Sequence, residues 1–451
     1  MSFVRVPPDS TGKKVYTKES TVGSDVVQTQ IVHLADSDFP ENLLSVDARG
    51  SASVRFAEGQ PNLSGFGNLK ISQQRALGVY ESSQASYDDL FTITTANGGS
   101  SDYEPTASSH ILRTTGIDGS RVVRTTNRYH YYLPGTSNFI NMTIACGDTG
   151  KPNNIRRWGA FDDNDGMFFE LNGNTLNVVL RSSISGEVVD NRVAQSEWNS
   201  DRADGTGVSK HVFNVTNINV YWMDYQWLGA GRVRFGIFEP NGARLVLHEF
   251  QNAGLNTLPY MRSGTLPLRT ENINVGTVGS TSELRECCMA VYAEGNINDY
   301  TYWRFSDMEA EGVSVTTNTH LFSVRSKPTL ESKHNSVNTL PETLNVYCSS
   351  PVAISIYEDT LVTGGSWSIA SRSSLEGTTD GTLDISAAHR MKTFYFETGA
   401  HSIDLSKYFE PNDEGIITNV DGTAKNWSLV ATRLTTNTTV VTCNMGYREL
   451  W

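Results

Sequence analysis

RVRFGIFEPNGARLVLHEF, residues 232–250, decides the fold class of this chain. Two runs rich in Val, Ile, Leu and Phe flank the step Asn241-Gly242. Both residues of that step tolerate positive φ, so it predicts a tight hairpin between two antiparallel strands. The same grammar repeats on either side. SNFINMTIAC (137–146), GMFFEL (166–171), TLNVVLRSS (175–183), HVFNVT (211–216), LPLRTENI (266–273), CCMAVYAEG (287–295) and HLFSVRS (320–326) all read as short strands. Asp165-Gly166, Asn172-Gly173 and Glu294-Gly295 give turn signals among them. Many short strands with regular turns predict a sandwich, jelly roll or barrel. Helices long enough to build βαβ units are missing from the pattern.

Working outward, 451 residues exceed one ordinary core, and two or three domains are expected. Charged residues make up only 19%, against 38% hydrophobic. That balance favours strands and turns over charged surface helices. Residues 1–30 read as an extended N-terminal arm that docks on a partner, with Phe3, Val6 and Tyr16 as its anchors. Residues 31–125 read as a mixed α/β or β-rich attachment region. Within it, KISQQRALGVYESSQASYDDLF (70–91) is the best helix candidate, with Ala76, Val79, Tyr80 and Tyr87 on one stripe. Residues 126–325 form the expected central β-sandwich or jelly roll. A polar seam with two prolines, RSKPTLESKHNSVNTLPE (325–342), then leads to a C-terminal β-sandwich over 342–451. The expected fold class is thus all-β: a multi-domain β-sandwich or jelly roll with an extended N-terminal arm.

The net charge of −13 argues against a broad nucleic-acid-binding face, because phosphates demand positive charge. Arg156-Arg157 and the scattered Arg121, Arg124 and Arg128 read as surface residues paired with nearby acids. No apolar run approaches the length of a membrane helix, so no membrane insertion is expected. The first residues lack the apolar core of an export signal. The cysteines (Cys146, Cys287, Cys288, Cys348 and Cys443) contain no CxxC and read as reduced and buried. Cys287 and Cys288 would point to opposite faces of one strand and so would not share a metal.

FDDNDGMFFE (161–170) is the densest acidic cluster. Setting Gly166 at the invariant glycine of an EF-hand puts Phe161 at the first ligand position and Asn172 at the twelfth, where Glu is required. An Asx-type hairpin is therefore expected. Paired carboxylates among Asp162, Asp163, Asp165, Asp224 and Glu239 could in principle hydrolyse a glycoside. Trp158, Trp222, Tyr225 and Trp227 are the candidates for glycan or partner contact. In YWMDYQW (221–227), alternation puts Trp222, Asp224 and Gln226 on one face and Tyr221, Met223, Tyr225 and Trp227 on the other, so packing competes with that role. The histidines form no HExxH, and there is no GxSxG elbow, Walker loop or GxGxxG. No catalytic, metal or cofactor-binding residue is assigned, and no cofactor is expected.

YHYYLPGTSN (129–138), RRWGAFDDNDGMFFEL (156–171), VVLRSSISG (178–186), QSEWNSDRADG (195–205) and WLGAGRVRFG (227–236) carry a further signal as a set. Together they resemble a β-rich module of structural proteins of tailed bacteriophages, of the cyanophage and marine phage type. The resemblance implies a non-enzymatic tail, fibre or neck component. It implies a homo-oligomer, trimer or higher, attached to other virion proteins and assembled in the host cytoplasm. A host surface glycan is the external partner it suggests. A tailspike-like glycan hydrolase and a capsid decoration protein are the alternatives.

Overall fold

The computed structural model describes residues 2–5, 14–22, 25–30, 74–294, 303–368, 372–409 and 415–450. The chain divides into two compact units, residues 1–61 and 62–451. In the first unit, Ser2–Arg5, Lys14–Val22 and Asp25–Gln30 form a three-stranded antiparallel sheet. The described residues of the expected arm pair with one another, so these strands satisfy part of their backbone hydrogen bonding within the arm itself. Phe3 and Tyr16 take facing register positions, and Val6 lies outside the described residues.

The second unit is all-β, with sheets packed as sandwiches and four one-turn 3-10 segments among its described residues. Its first sandwich pairs a seven-stranded sheet with an eight-stranded one. The seven-stranded sheet runs Val189–Ala194, Thr175–Ser182, Gly166–Asn172, Asn154–Phe161, Leu268–Asn274, Arg121–Thr126 and Phe91–Ala96. The eight-stranded sheet runs Arg244–Phe250, Val233–Phe238, Asn219–Tyr225, Ser137–Cys146, Ser282–Glu294, Ser109–Thr114 and Ser100–Glu104, with Gln74–Glu81 also paired to Ser282–Glu294. Trp158, Phe169, Tyr221, Phe235 and Leu284 belong to the core between them, all fully buried. Alternation explains the placement: Tyr221, Met223 and Tyr225 enter the core, while Trp222 and Asp224 take the outer face. The Asn241-Gly242 hairpin forms as expected, with Gly242 at φ +85° and the Asn241 side chain accepting from Ala243 N at 2.8 Å.

A second core lies between a four-stranded and a five-stranded sheet, with Leu321, Leu344, Ile354, Trp427 and Met445 buried in it. It includes Trp303–Val315 and Thr319–Ser326, so the second sandwich starts before the expected seam. The seam itself folds into that sandwich. Thr329–Leu330 pairs with Lys333–His334, and Pro341 sits in the strand Asn338–Cys348 at a register shift. A bulge tolerates proline inside a strand, which is why the prolines misled. The first sandwich likewise begins at residue 74 and not at 126.

Two further expectations are corrected by bulges. The helix candidate at 70–91 is a strand over Gln74–Glu81. Leu77 is the extra residue of a bulge against Val291 and Tyr292, so Leu77 and Tyr80 are both buried at a helix-like spacing of three. Gly78 is required there, because a Cβ would lie 2.6 Å from His130 Nε2. The same device acts at Cys287-Cys288, where the register shifts between Glu286 and Cys288. Cys287 is half-buried and Cys288 exposed, while Cys146, Cys348 and Cys443 are buried; all five are free thiols. HVFNVT forms no strand either; only an isolated bridge joins Asp204 and Val212.

Gly159 sits at a close approach on the outer face of the seven-stranded sheet. A Cβ there would meet Met167 O at 2.3 Å and Phe168 Cα at 2.6 Å. Gly159→Ala should therefore cost about 1–3 kcal/mol in unfolding free energy, the range for overpacking, as read from urea denaturation.

Candidate functional site

The aromatic candidates are mostly interior. Trp158, Trp222 and Tyr225 are at most 2% exposed and cannot present a ring to a glycan or partner. Trp158 lies between Phe169 (5.9 Å) and Tyr221 (5.0 Å) in the core. Trp222 takes the outer face of the eight-stranded sheet, yet it is sealed by Phe139 and by the Asp224–Arg234 pair, and its Nε1 donates to Ile237 O. Tyr225 donates its hydroxyl proton to Gly264 O at 2.6 Å. Trp227 is half-buried and donates Nε1–H to Met261 O. The last two fasten the loop that precedes Leu268–Asn274.

The arginines also differ from expectation. Arg124, Arg128 and Arg156 are buried, not surface residues. On the outer face of the seven-stranded sheet, arginine and carboxylate alternate across strands. Arg157 donates to Glu170 and to Glu271, both at 2.7 Å. Arg269 joins Glu271 to Asp163, Arg192 joins Glu170 to Asp190, and Arg181 pairs with Asp190. The lattice spans five neighbouring strands. Its guanidinium groups lie over Phe161 and Phe168, which with Val179 form a separate buried patch. Burial opposes ionisation of Glu271, but Arg269 and Arg157 outweigh it and hold its carboxyl below the usual range. Asp190 and Asp163 are held low in the same way, chiefly by Arg181 and Arg269 respectively against burial.

The acidic loop folds as the expected Asx-type hairpin. Asp162 Oδ1 accepts from the backbone N–H groups of Asn164 (2.7 Å) and Asp165 (2.8 Å). Asp165 is taken by Ser183 and Arg262. Among the described residues, no group of three His, Cys, Asp or Glu side chains is placed to hold a metal. None of their helices is long and apolar enough to cross a membrane.

One cavity of about 190 Å³ opens where the eight-stranded sheet splits. The long strand Ser282–Glu294 pairs with Ser109–Thr114 along its first half and with Gln74–Glu81 along its second. Those two neighbours end at the Cys287 bulge and leave a gap. Val79, Tyr80, Glu81, Ser82, Tyr87, Leu90 and Phe91 form the walls, and Arg124 and Glu286 the floor. Arg124 Nη1 pairs with Glu286, and its guanidinium lies 3.3 Å from the centre of the Phe91 ring. Glu286 Oε2 accepts from Thr270 Oγ1 at 2.6 Å. Arg124 Nε is buried and has no partner. Behind the cavity, Tyr80 O–H donates to His130 Nε2 at 2.9 Å, since His130 Nδ1 faces the Leu266 carbonyl and must carry the proton. Sequence reasoning missed this site; no motif joins residues so distant, and only the bulge brings them together.

No family model matches the chain, and no curated protein matches it. Solved structures match about half of it. The carbohydrate recognition domain of Emp46p is 11% identical, covering 50% of this chain and 100% of that domain, with a TM-score of 0.33. A glycosyl hydrolase family 16 protein from Mycobacterium smegmatis is 12% identical, covering 49% of this chain and 98% of its own, with a TM-score of 0.31. A protein of unknown function from Shewanella oneidensis is 6% identical, covering 48% of this chain and 85% of its own, with a TM-score of 0.32. Likeness of this degree carries no inference about chemistry.

Two outcomes are expected. Arg157→Met leaves Glu170 and Glu271 with one arginine fewer each at a largely buried position, so unfolding free energy in urea should fall by about 3 kcal/mol. Burial holds His130 neutral by lowering its pKa to about 3, with Arg128 adding to the effect. Between that value and the unfolded value of about 6.5, the unfolded chain takes a proton that the folded chain refuses. The stability is full above pH 6.5 and is lost as pH falls, at up to about 1.4 kcal/mol per pH unit. His248, lowered to about 4 by burial, adds to the slope. Denaturation midpoints measured from pH 7 to pH 4 should decline less steeply in His130→Gln.

Proposed function

We propose that this chain is a non-enzymatic structural component of a tailed-phage particle, a rigid β scaffold that attaches to neighbouring virion proteins and presents a surface toward the host. The observation that carries the structural reading is the arginine–carboxylate lattice across five strands. Glycoside hydrolysis by two carboxyl groups needs one of them protonated at working pH. In the lattice each carboxylate answers to a guanidinium, and Glu170, Glu271 and Asp190 each to two. Such a face resists shear between strands and suits a part whose task is to keep its shape. The phage assignment rests on the resemblance of residues 129–236, which lie within the first sandwich. Attachment as a homo-oligomer, trimer or higher, belongs to the same proposal.

Mass spectrometry and cryo-electron microscopy of purified particles test it. The chain should be found at a fixed copy number with density on neighbouring virion proteins. Its absence from the particles would overturn the virion assignment. A glycan-hydrolysis assay that gives turnover in the wild-type chain and none in Glu170→Gln would overturn the non-enzymatic one.

A further inference from the structure

Regular alternation would send Cys287 and Cys288 to opposite faces of the strand Ser282–Glu294. The bulge prevents this. Leu284 and Glu286 point inward before it, and Met289 and Val291 point inward after it, all at most 2% exposed. Both cysteines therefore fall between consecutive inward positions. Cys288 stands opposite Glu81 on one neighbouring strand and Thr143 on the other. Directly opposed residues share a face of the sheet. Glu81 is exposed, and Thr143 lies between the buried Met142 and Ile144, so that face is the outer one. Cys287 follows the inward Glu286 and is the residue without a register partner, which places it on the outer face as well. Two adjacent free thiols thus share one face, Cys287 half-buried and Cys288 exposed.

Their surroundings select the ligand. Burial first, and then the neighbouring Cys288, holds the Cys287 thiol above its ordinary value. Burial and then Glu81 do the same for Cys288, while the Ser82 backbone N–H favours its ionised form. Both thiols stay protonated near neutral pH, so a ligand must displace their protons. Thiolate is a soft donor that suits Cu(I) and Zn(II) and not the oxygen-seeking Ca(II) or Mg(II). Among the described residues, no group of three His, Cys, Asp or Glu side chains is placed to hold a metal. A structural Zn(II) site takes four ligands. Two sulfurs alone suit a soft monovalent cation, which two thiolates can hold in line.

We propose that Cys287 and Cys288 together bind one Cu(I) ion through both sulfurs, on the outer face of the sheet at the bulge. Two Cu–S bonds form, two protons leave for solvent, and no oxidation state changes. Arg285, which also favours the ionised form of Cys287, faces the single negative charge that remains. The inference is independent of the phage assignment, since it rests on the bulge and the two thiols.

Titration of the reduced full chain with Cu(I), in anaerobic competition with bicinchoninate, tests it. One ion should bind per chain, and X-ray absorption should show two sulfur neighbours. Cys288→Ser, at the exposed position, should weaken binding by at least about a hundredfold while the melting temperature holds. That exceeds the roughly 10–100-fold lost when only a partner of a metal ligand is removed. Cys287→Ser should weaken it as much, because each sulfur supplies half of the site. Zn(II) at equal concentration should not displace Cu(I). Wild-type affinity in either serine variant overturns the proposal, since the ion then sits on other groups or on one sulfur. One ion shared between two chains, or displacement by Zn(II), overturns it too.

Discussion

The first sandwich depends on enclosing the Trp158 indole between its sheets. Trp158 stands on the strand Asn154–Phe161 with Phe169 beside it and Tyr221 reaching from the opposite sheet. Those rings, with Phe235, fill the space between the layers. Aromatic side chains of this size dominate a core's burial energy. Once Trp158 is inside, the period of two sends Arg157, Gly159 and Phe161 to the outer face. A slip of one residue would put a guanidinium in the core and the indole in water, so register is strongly specified.

The outer face follows from that constraint. Arg157 cannot be left unpaired where it is largely covered, and Glu170 and Glu271 lie directly opposite it on the two flanking strands. Cross-strand neighbours of opposite charge satisfy one another at the shortest reach. Gly159 leaves room between them for Phe168 to press against Phe161. Ion pairs of this kind are weak evidence for high stability, because desolvation offsets much of the attraction. Here they specify which strand lies beside which, since any other pairing leaves a charge unanswered.

This also explains what was legible in the sequence. The β class, the 239–243 hairpin and the alternation in YWMDYQW rest on short-range patterns, and each appears in the fold. The Asx-type hairpin at Asp162 was legible for the same reason. The bulges were not. An extra residue at Leu77 or at Cys287 moves buried side chains from a spacing of two to a spacing of three, and the first of these imitates a helix. The interior arginines were also hidden. Arg124 and Arg156 look like surface residues until their partners are known, and Glu286 lies 162 positions from Arg124 in the chain. Trp158 and Trp222 misled in the opposite direction, because a tryptophan in a polar sequence suggests a binding platform when its partners are out of view.

The bulge at Cys287 links the core to the candidate site. A regular strand over Ser282–Glu294 would pair without interruption to a single neighbour, and the sheet would close. The extra residue shifts the register after Glu286, so one neighbour ends at His110 and another begins at Glu81. Glu286 then faces inward at the last regular position, where Arg124 from the opposite sheet meets it. With the gap, the pair lines a cavity of about 190 Å³. A single inserted residue thus turns a buried ion pair, which a hydrophobic pair could replace at no loss of stability, into the floor of an open cavity.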